Sequence, residues 1–352
     1  MINDHQESFF TRDKNFYRTF FQLMLVVALQ NLIAYSVNML DNMMLGSYSQ
    51  NALSGATTVN QVFFIVNQLA IAIGNALIVM SSQYWGKRDT HSIKKLTGIS
   101  LTFSLLAAAI VFGICAAFPE QLLKIFTTSP EIIEQGQIYL NILKWTFILF
   151  LISNLLISML RSVETVQISF VVSVVSLIVN GGMNYTLIFG HFGFPEMGIK
   201  GAAIGTLAAR SLEFFIVIFY VLKIDKKVRV FHGGLFRETF SVANRKLWTD
   251  FIKVSCPVIL SGMIWAVSVP MQTAILGHLS ADAIAANSVA TTFFQYLKVI
   301  VVAVSSASSV AIGKFIGQGN RSEVRAVGRT LSVIDISIGI VLAVLLFLLR
   351  KP

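Results

Sequence analysis

Long, continuous apolar runs alternate along the chain with short polar segments. Each run has about twenty residues, the length that a helix needs to cross the ~30 Å hydrocarbon core of a bilayer. The runs predict nine helices, at about 19–44, 56–82, 95–117, 136–159, 167–189, 201–222, 253–276, 286–311 and 330–349. They lack the polar–apolar alternation of barrel strands. The pattern therefore predicts an all-α polytopic membrane protein.

Composition and charge agree with this interpretation. Of the 352 residues, 55% are hydrophobic and 12% are charged, whereas soluble globular chains carry about 25% charged residues. The net charge is +10, but the basic residues lie in short loops between apolar runs. This arrangement sets membrane topology and argues against a nucleic-acid partner. Loops on one side carry twenty Lys and Arg residues and those on the other side carry four, which predicts a cytoplasmic N-terminus in a plasma (inner) membrane.

The region around the first two spans recurs around the seventh and eighth spans at a constant offset of 231 residues. The matched pairs are Leu45 and Leu276, Gly46 and Gly277, Ser49 and Ser280, Ala52 and Ala283, Phe63 and Phe294, and Gly86 and Gly317. Internal repeats are common in secondary transporters. Because six helices separate the copies, the two copies have the same orientation in the membrane.

The repeat predicts a two-lobed protein. We expect a six-helix N-lobe at 1–222, a cytoplasmic linker at 223–252, and a partial three-helix C-lobe at 253–352. A repeat of equal length in the second half would extend the protein to roughly 455 residues and twelve helices. We therefore expect a C-terminally truncated sequence.

The polar residues inside the spans are the candidates for function, because each is costly in lipid unless it faces protein or water. Three helices carry polar or small residues on one face: Asn31, Tyr35, Asn38 and Asp41; Asn60, Asn67, Gly74 and Ser81; Ser173, Ser176, Asn180 and Asn184. Together they favour a shared wet cavity, although hydrogen bonding between helices is the alternative. The chain has no ATP-binding or His-Glu-x-x-His motif, so we expect neither an enzyme nor a cofactor.

Asp41 is the only carboxylate in the first two spans. It is a candidate carrier of a proton or a cation. The alternative is a residue at the outer interface, because a helix from Arg18 to Asp41 is about 35 Å long and slightly exceeds the hydrocarbon core. Elsewhere, Arg210 and Glu213 are spaced to form a structural ion pair.

Several strings resemble the motifs of multidrug and toxic compound extrusion (MATE) transporters. They are Leu40-Asp41-Asn42-Met43-Met44-Leu45-Gly46, Ser82-Gln83-Tyr84-Trp85-Gly86-Lys87-Arg88-Asp89, and Leu160-Arg161-Ser162 followed by Asn180, Asn184 and Gly198 to Thr206. The resemblance implies two six-helix lobes around a V-shaped cavity. It also implies export of cationic or amphipathic small molecules, driven by inward Na⁺ or H⁺. By the same resemblance, Asp41, Asn180, Asn184 and Thr206 would bind the cation or proton, with no metal beyond a possible Na⁺ at Asp41.

The sequence departs from the family pattern at two points. Trp265 stands where some members carry a glutamate, and the helix-10 aspartate of those members would lie beyond residue 352. The coupling ion therefore stays open between Na⁺ and H⁺. The predicted substrate cavity includes Tyr35, Asn38, Asn60 and Asn67 together with Trp265. We expect small-molecule substrates and the lipid bilayer as partners, with no obligate protein partner.

Two alternatives remain at this stage. A flippase for lipid-linked oligosaccharides would have a related architecture, but it should carry several basic residues inside its lumen, where the N-lobe spans offer chiefly Arg210. A non-transporting fragment is the other alternative.

The charge asymmetry predicts that the 223–252 segment is cytoplasmic, because eight of its residues and their neighbours are Lys or Arg. Protease added to intact cells should leave this segment uncut, and protease added to broken cells should cleave it. Cleavage from outside the intact cell would contradict the predicted orientation.

Overall fold

The computed structural model describes residues 10–231, 245–277, 281–319 and 321–348, without the side chains of 270, 273–293 and 321. These residues form helices and connecting segments, with no β-strand among them. The helices are α1 Lys14–Tyr48, α2 Gln50–Gly86, α3 Thr90–Ala117, α4 Pro119–Lys124, α5 Pro130–Ser162, α6 Gln167–Phe189, α7 Ile199–Phe219, α8 Arg245–Gly277, α9 Ala281–Gln318 and α10 Arg321–Leu348.

Eight of these described helices are long and apolar enough to cross a bilayer, namely α1, α2, α3, α5, α6, α8, α9 and α10. The predicted all-α, multi-pass architecture is therefore confirmed. The predicted span at 201–222 corresponds to α7, which contains Lys200, Arg210 and Glu213 and leads into a short π-helical turn at Tyr220–Ile224. Two short helical segments outside the predicted spans are α4 and a single 3₁₀ turn at His191–Gly193.

Side-chain caps extend several helices beyond their apolar runs. The Asp13 carboxylate accepts the Asn15 backbone N–H at 2.8 Å at the start of α1. At the start of α3, Asp89 accepts the backbone N–H of Ser92 at 3.0 Å and its hydroxyl at 2.6 Å. Partial burial raises the pKa of Asp89, but the hydrogen bonds from Ser92 outweigh this effect and lower the pKa below its usual value. Each cap satisfies backbone donors that the helix itself leaves free.

In the first half of the chain, α2 and α5 form the central pair. Helix α5 also packs against α3 and α7, and α6 lies between α7 and α1. The contact between α6 and α7 is close at Gly201, where an added methyl group would lie 2.5 Å from the Leu187 carbonyl oxygen. Small residues allow such an approach of two helix backbones. This packing brings the polar positions of α1, α6 and α7 into one region.

The second half packs on the first through α1 and α2. Helix α8 lies against α2 and α3, and α9 lies against α1 and α2. Trp248 and Phe251 of α8 contact Phe103, with ring centres 5.9 and 5.7 Å away. Helix α8 begins at Arg245, so its first turns fall inside the segment predicted as a linker. The middle of that segment, residues 232–244, lies outside the described residues, and the lobe boundaries stay a prediction.

The close α6–α7 contact predicts that Gly201→Ala destabilises the fold. Overpacking of a tight contact typically costs about 1–3 kcal/mol, which exceeds the gain of up to ~1 kcal/mol from helix propensity. We expect a lower apparent melting temperature for the purified protein. Gly182→Ala is the matched control, because an added methyl group meets nothing within 4 Å there. Equal melting temperatures for the two variants would contradict the packing argument.

Candidate ion-binding site

The centre of the site is Asp41 of α1, a carboxylate with 9% of its surface exposed. It lies two turns before the end of α1 and faces α6. The Asn184 amide N–H of α6 donates a hydrogen bond to Asp41 Oδ1. The same amide nitrogen lies 3.4 Å from the Asn180 Oδ1 acceptor, one turn earlier on α6. The carboxylate thus lies inside the bundle and has a hydrogen-bond donor. It is not a residue of an exposed outer interface.

The hydrogen-bonded chain continues from α6 to α7 and α5. Asn180 Nδ2 donates to Thr206 Oγ1 at 3.4 Å, and Asn180 also interacts with the Asp41 carboxylate. Tyr139 of α5 is buried and shares a hydrogen bond with Thr206. The structure therefore brings together all four residues of the predicted ion site. Sequence reasoning missed Tyr139, although a tyrosine inside an apolar helix usually needs a partner for its hydroxyl.

One acceptor in the site is unused. Asn184 Oδ1 is buried and has no hydrogen-bond partner. It lies against Gly205 of α7, where an added methyl group would clash with it. A buried polar atom without a partner is costly, so this oxygen is available to a ligand. With one carboxylate and neutral oxygens on Asn180, Asn184 and Thr206, the donor set suits a hard cation or a proton.

Nearby, Arg210 and Glu213 form the structural ion pair that their spacing in the sequence predicts. Arg210 Nη1 lies 2.7 Å from Glu213 Oε2. The guanidinium also lies over two rings, 4.9 Å from the centre of Phe150 and 5.9 Å from that of Phe63. The Arg210 charge interacts electrostatically with Asp41 as well. The described part of the chain has no group of three or more His, Cys, Asp or Glu residues that could hold a metal ion.

The residues of the predicted substrate cavity lie on three helices, α1, α2 and α8. The Tyr35 hydroxyl donates to Gln295 of α9 at 3.1 Å. Asn38 is exposed, and Asn60 and Asn67 are half-buried on α2. Trp265 is 39% exposed.

The two cavities that we describe lie elsewhere. One, of about 660 Å³, separates the start of α1 from α9 and α10, and the other, of about 470 Å³, lies between α2, α9 and α10. Neither is lined by any of the five predicted residues. The shared substrate cavity therefore stays a prediction.

Sequence reasoning also missed two polar contacts that join the halves of the chain. Arg161 at the end of α5 donates to Gln30 of α1 at 3.1 Å and to Ser306 of α9 at 3.3 Å. Glu164 forms an ion pair with Lys314 of α9 at 2.6 Å. Both residues appear in the sequence as loop charges, and their partners are more than 130 positions away, so spacing carries no signal for them.

Similar proteins have names from the multidrug resistance class. The chain is 24% identical over 324 residues to "Probable multidrug resistance protein NorM" of Thermotoga maritima, a match that covers 92% of this chain and 68% of the relative. It is 25% identical over 315 residues to a protein of the same name from Rhizobium meliloti, covering 88% and 64%. The chain thus spans less than two thirds of the second relative's length.

Solved structures share the fold. A MOP superfamily transporter from Pyrococcus furiosus has a TM-score of 0.83 at 16% identity, covering 94% of this chain and 72% of that one. A crystal structure of "MATE in the bent conformation" has a TM-score of 0.84 at 17% identity, covering 95% and 72%. The family model described as MatE matches residues 27–186 and 257–352, which is more than half of the chain. The chain therefore belongs to the MATE family of transporters.

Proposed function

We propose that the protein is a secondary active multidrug efflux transporter. It exports cationic or amphipathic small molecules by alternating access, in exchange for inward Na⁺ or H⁺. The observation that supports this proposal most strongly is the buried carboxylate of Asp41, whose polar partners on α6 are hydrogen-bonded in turn to Thr206 of α7. A lone buried carboxylate in a membrane span is costly, and such groups usually mark ion or proton pathways.

The coupling of ion binding to transport follows from the free-energy cost of a buried negative charge at Asp41. When the site binds a cation or a proton, the net charge of the carboxylate is neutralised. When it releases the ion, the negative charge needs water or donors such as the Asn184 amide. The two states therefore prefer different degrees of hydration. A protein whose two conformations hydrate Asp41 differently changes its affinity for the ion with each transition, which is the requirement for coupling.

The orientation of the site is part of the proposal. With a cytoplasmic N-terminus, α1 runs outward and Asp41 lies nearer to the external end of its helix. The site would then load from the outside and release toward the cytoplasm after the transition. The polar side chains of α6 and α7 surround it at the same end, because Asn184 is near the end of α6 and Thr206 is near the start of α7.

The substrate class rests on the relatives and on the character of Trp265. Both relatives described above are named probable multidrug resistance proteins. An exposed tryptophan provides a flat surface for stacking of an organic cation. The Lys298 ammonium already lies 4.5 Å from the centre of the Trp265 ring. A cationic substrate that binds there must displace this ammonium, so we expect weak binding at this position.

The structure gives less support to the flippase alternative. A lumen that binds a pyrophosphate needs unpaired basic groups. Arg210, the principal basic residue in the spans of the first half, has its charge neutralised by Glu213. We therefore favour efflux over lipid-linked substrate transfer.

The first prediction of this proposal concerns Asp41→Asn. The amide keeps the shape of the side chain and removes the titratable charge, so ion-driven efflux of a fluorescent cationic dye should fall to the background of cells that lack the protein. Expression and melting temperature should stay near those of the parent. Glu134→Gln, which removes one negative charge at an exposed position, is the control and should export normally. Dye export by Asp41→Asn at the parent rate would contradict the site.

The second prediction concerns Asn184→Asp. This change places a second carboxylate beside Asp41 and removes the amide donor. Repulsion between the two carboxylates should make one of them hold a proton or a cation more tightly. We expect the empty state to be less stable and the melting temperature to rise more steeply with added Na⁺, or with falling pH, than it does for the parent. Asn15→Asp, the same exchange at an exposed position, should show the parent's dependence. If both variants respond alike, Asn184 does not share the site with Asp41.

A further inference from the structure

The two halves of the chain make a reciprocal contact where α2 and α9 end. The repeat offset of 231 residues pairs Ser82 with Gly313 and Gly86 with Gly317. A methyl group added at Gly86 would lie 2.9 Å from the carbonyl carbon of Lys314, and one added at Gly317 would lie 2.8 Å from that of Gln83. Gln83 and Lys314 are themselves related by the same offset. The contact therefore has approximate twofold symmetry, and the two backbones touch without side chains between them.

An ion pair closes the same end of the molecule. Lys314 Nζ of α9 lies 2.6 Å from Glu164 Oε1, and both side chains are partly buried. The other carboxylate oxygen of Glu164 accepts a hydrogen bond from Trp85 Nε1 of α2 at 3.2 Å. Glu164 thus joins the end of α2 to the end of α9. It also has a left-handed backbone conformation, with φ of 58°, which is unfavourable for a residue with a side chain.

The segment after α7 is attached to this cluster. Lys227 Nζ donates to the Val163 carbonyl oxygen at 2.8 Å and lies 5.4 Å from the centre of the Trp85 ring. Partial burial lowers the pKa of Lys227 below its usual value. The Asp225 carboxylate accepts the backbone N–H groups of Lys227 and Arg229 at 3.1 and 3.0 Å, which holds the turn in place. The chain that leads to the second half thus begins at this point.

A second contact supports the first from two helical turns deeper. Arg161 donates to Ser306 of α9 and to Gln30 of α1. Residues 161–164 of the first half therefore hold α9 at two points, Ser306 and Lys314. Eight residues separate these two points, so they lie near one face of the helix. Relative movement of the halves at this end has to break both contacts.

We propose that the Glu164–Lys314 ion pair is a releasable latch that holds the ends of α2 and α9 together in this conformation. The latch rests on the proposed function, because alternating access requires the halves to separate at this end. The contact at Gly86 and Gly317 brings the two backbones close together but contains no charged group. The ion pair adds an attraction between two groups that water solvates well once they are apart. Breaking it therefore costs less free energy than exposing a larger apolar contact to water.

The experiment measures opening without any substrate. Ile78 of α2 is buried in the apolar cluster with Val304 and Val310 of α9, and Ile78→Cys reports access to this interface. The background replaces the two native cysteines, Cys115 and Cys256. In the purified full chain we expect Glu164→Lys or Lys314→Glu to raise the rate of maleimide labelling about fivefold. The double exchange of both residues should bring the rate most of the way back.

The control and the contrary outcomes are specific to the pair. Lys124→Glu breaks the exposed ion pair with Glu120 inside α4 and should leave labelling unchanged. If the single reversals do not raise labelling, or if the double exchange labels as fast as they do, the latch proposal is wrong. Recovery in the double exchange also shows that the variants fold.

A transport measurement separates this proposal from the proposed function. In a Glu164→Cys, Lys314→Cys variant, a short cleavable thiol cross-linker should stop dye efflux, and cleavage should restore it. Continued efflux in the cross-linked protein would overturn the latch. If the uncross-linked parent exports nothing, the proposed function fails, while the labelling result still tests whether the ion pair holds α2 and α9 together.

Discussion

A polar group inside a bilayer has to find its partner within the protein, and this constraint organises the whole molecule. Backbone groups satisfy it by forming helices. The polar side chains satisfy it by pairing. Asp41 pairs with Asn184, and Arg161 with Gln30 and Ser306, across helices, whereas Arg210 and Glu213 pair within α7. The pairs between helices favour particular helices as neighbours, because apolar packing in lipid by itself discriminates little between them.

The internal repeat gives the two halves matching surfaces. At the ends of α2 and α9, positions related by the 231-residue offset lie opposite each other, and glycine on both sides permits backbone contact. The same equivalence does not extend to charge. Lys314 is the residue that the offset pairs with Gln83, and it forms an ion pair with Glu164 of the first half. The glycine contact therefore follows the repeat, whereas the ion pair is present on one side only. Substitutions can alter the glycine contact and the ion pair separately.

The candidate ion site and the contact between the halves share helix α1. Helix α1 carries Asp41 toward α6 near one end and packs against α9 along its length. Helix α2 holds α5 on one side and α8 and α9 on the other. The helices that form the candidate site therefore also contact the second half directly. The proposed coupling between ion binding and movement of the halves would need such a contact.

Much of the fold could be predicted from the sequence, because bilayer thickness converts apolar length directly into helices. Span positions and the order of family motifs both followed from local patterns. The grouping of Asp41, Asn180, Asn184 and Thr206 came from the family resemblance, and the hydrogen-bonded chain supports it. Only the tertiary structure decided that Tyr139 joins this chain and that Asn184 Oδ1 is left without a partner. Helical periodicity specifies which face a residue occupies on its own helix, whereas its neighbour depends on how helices distant in sequence rotate and cross.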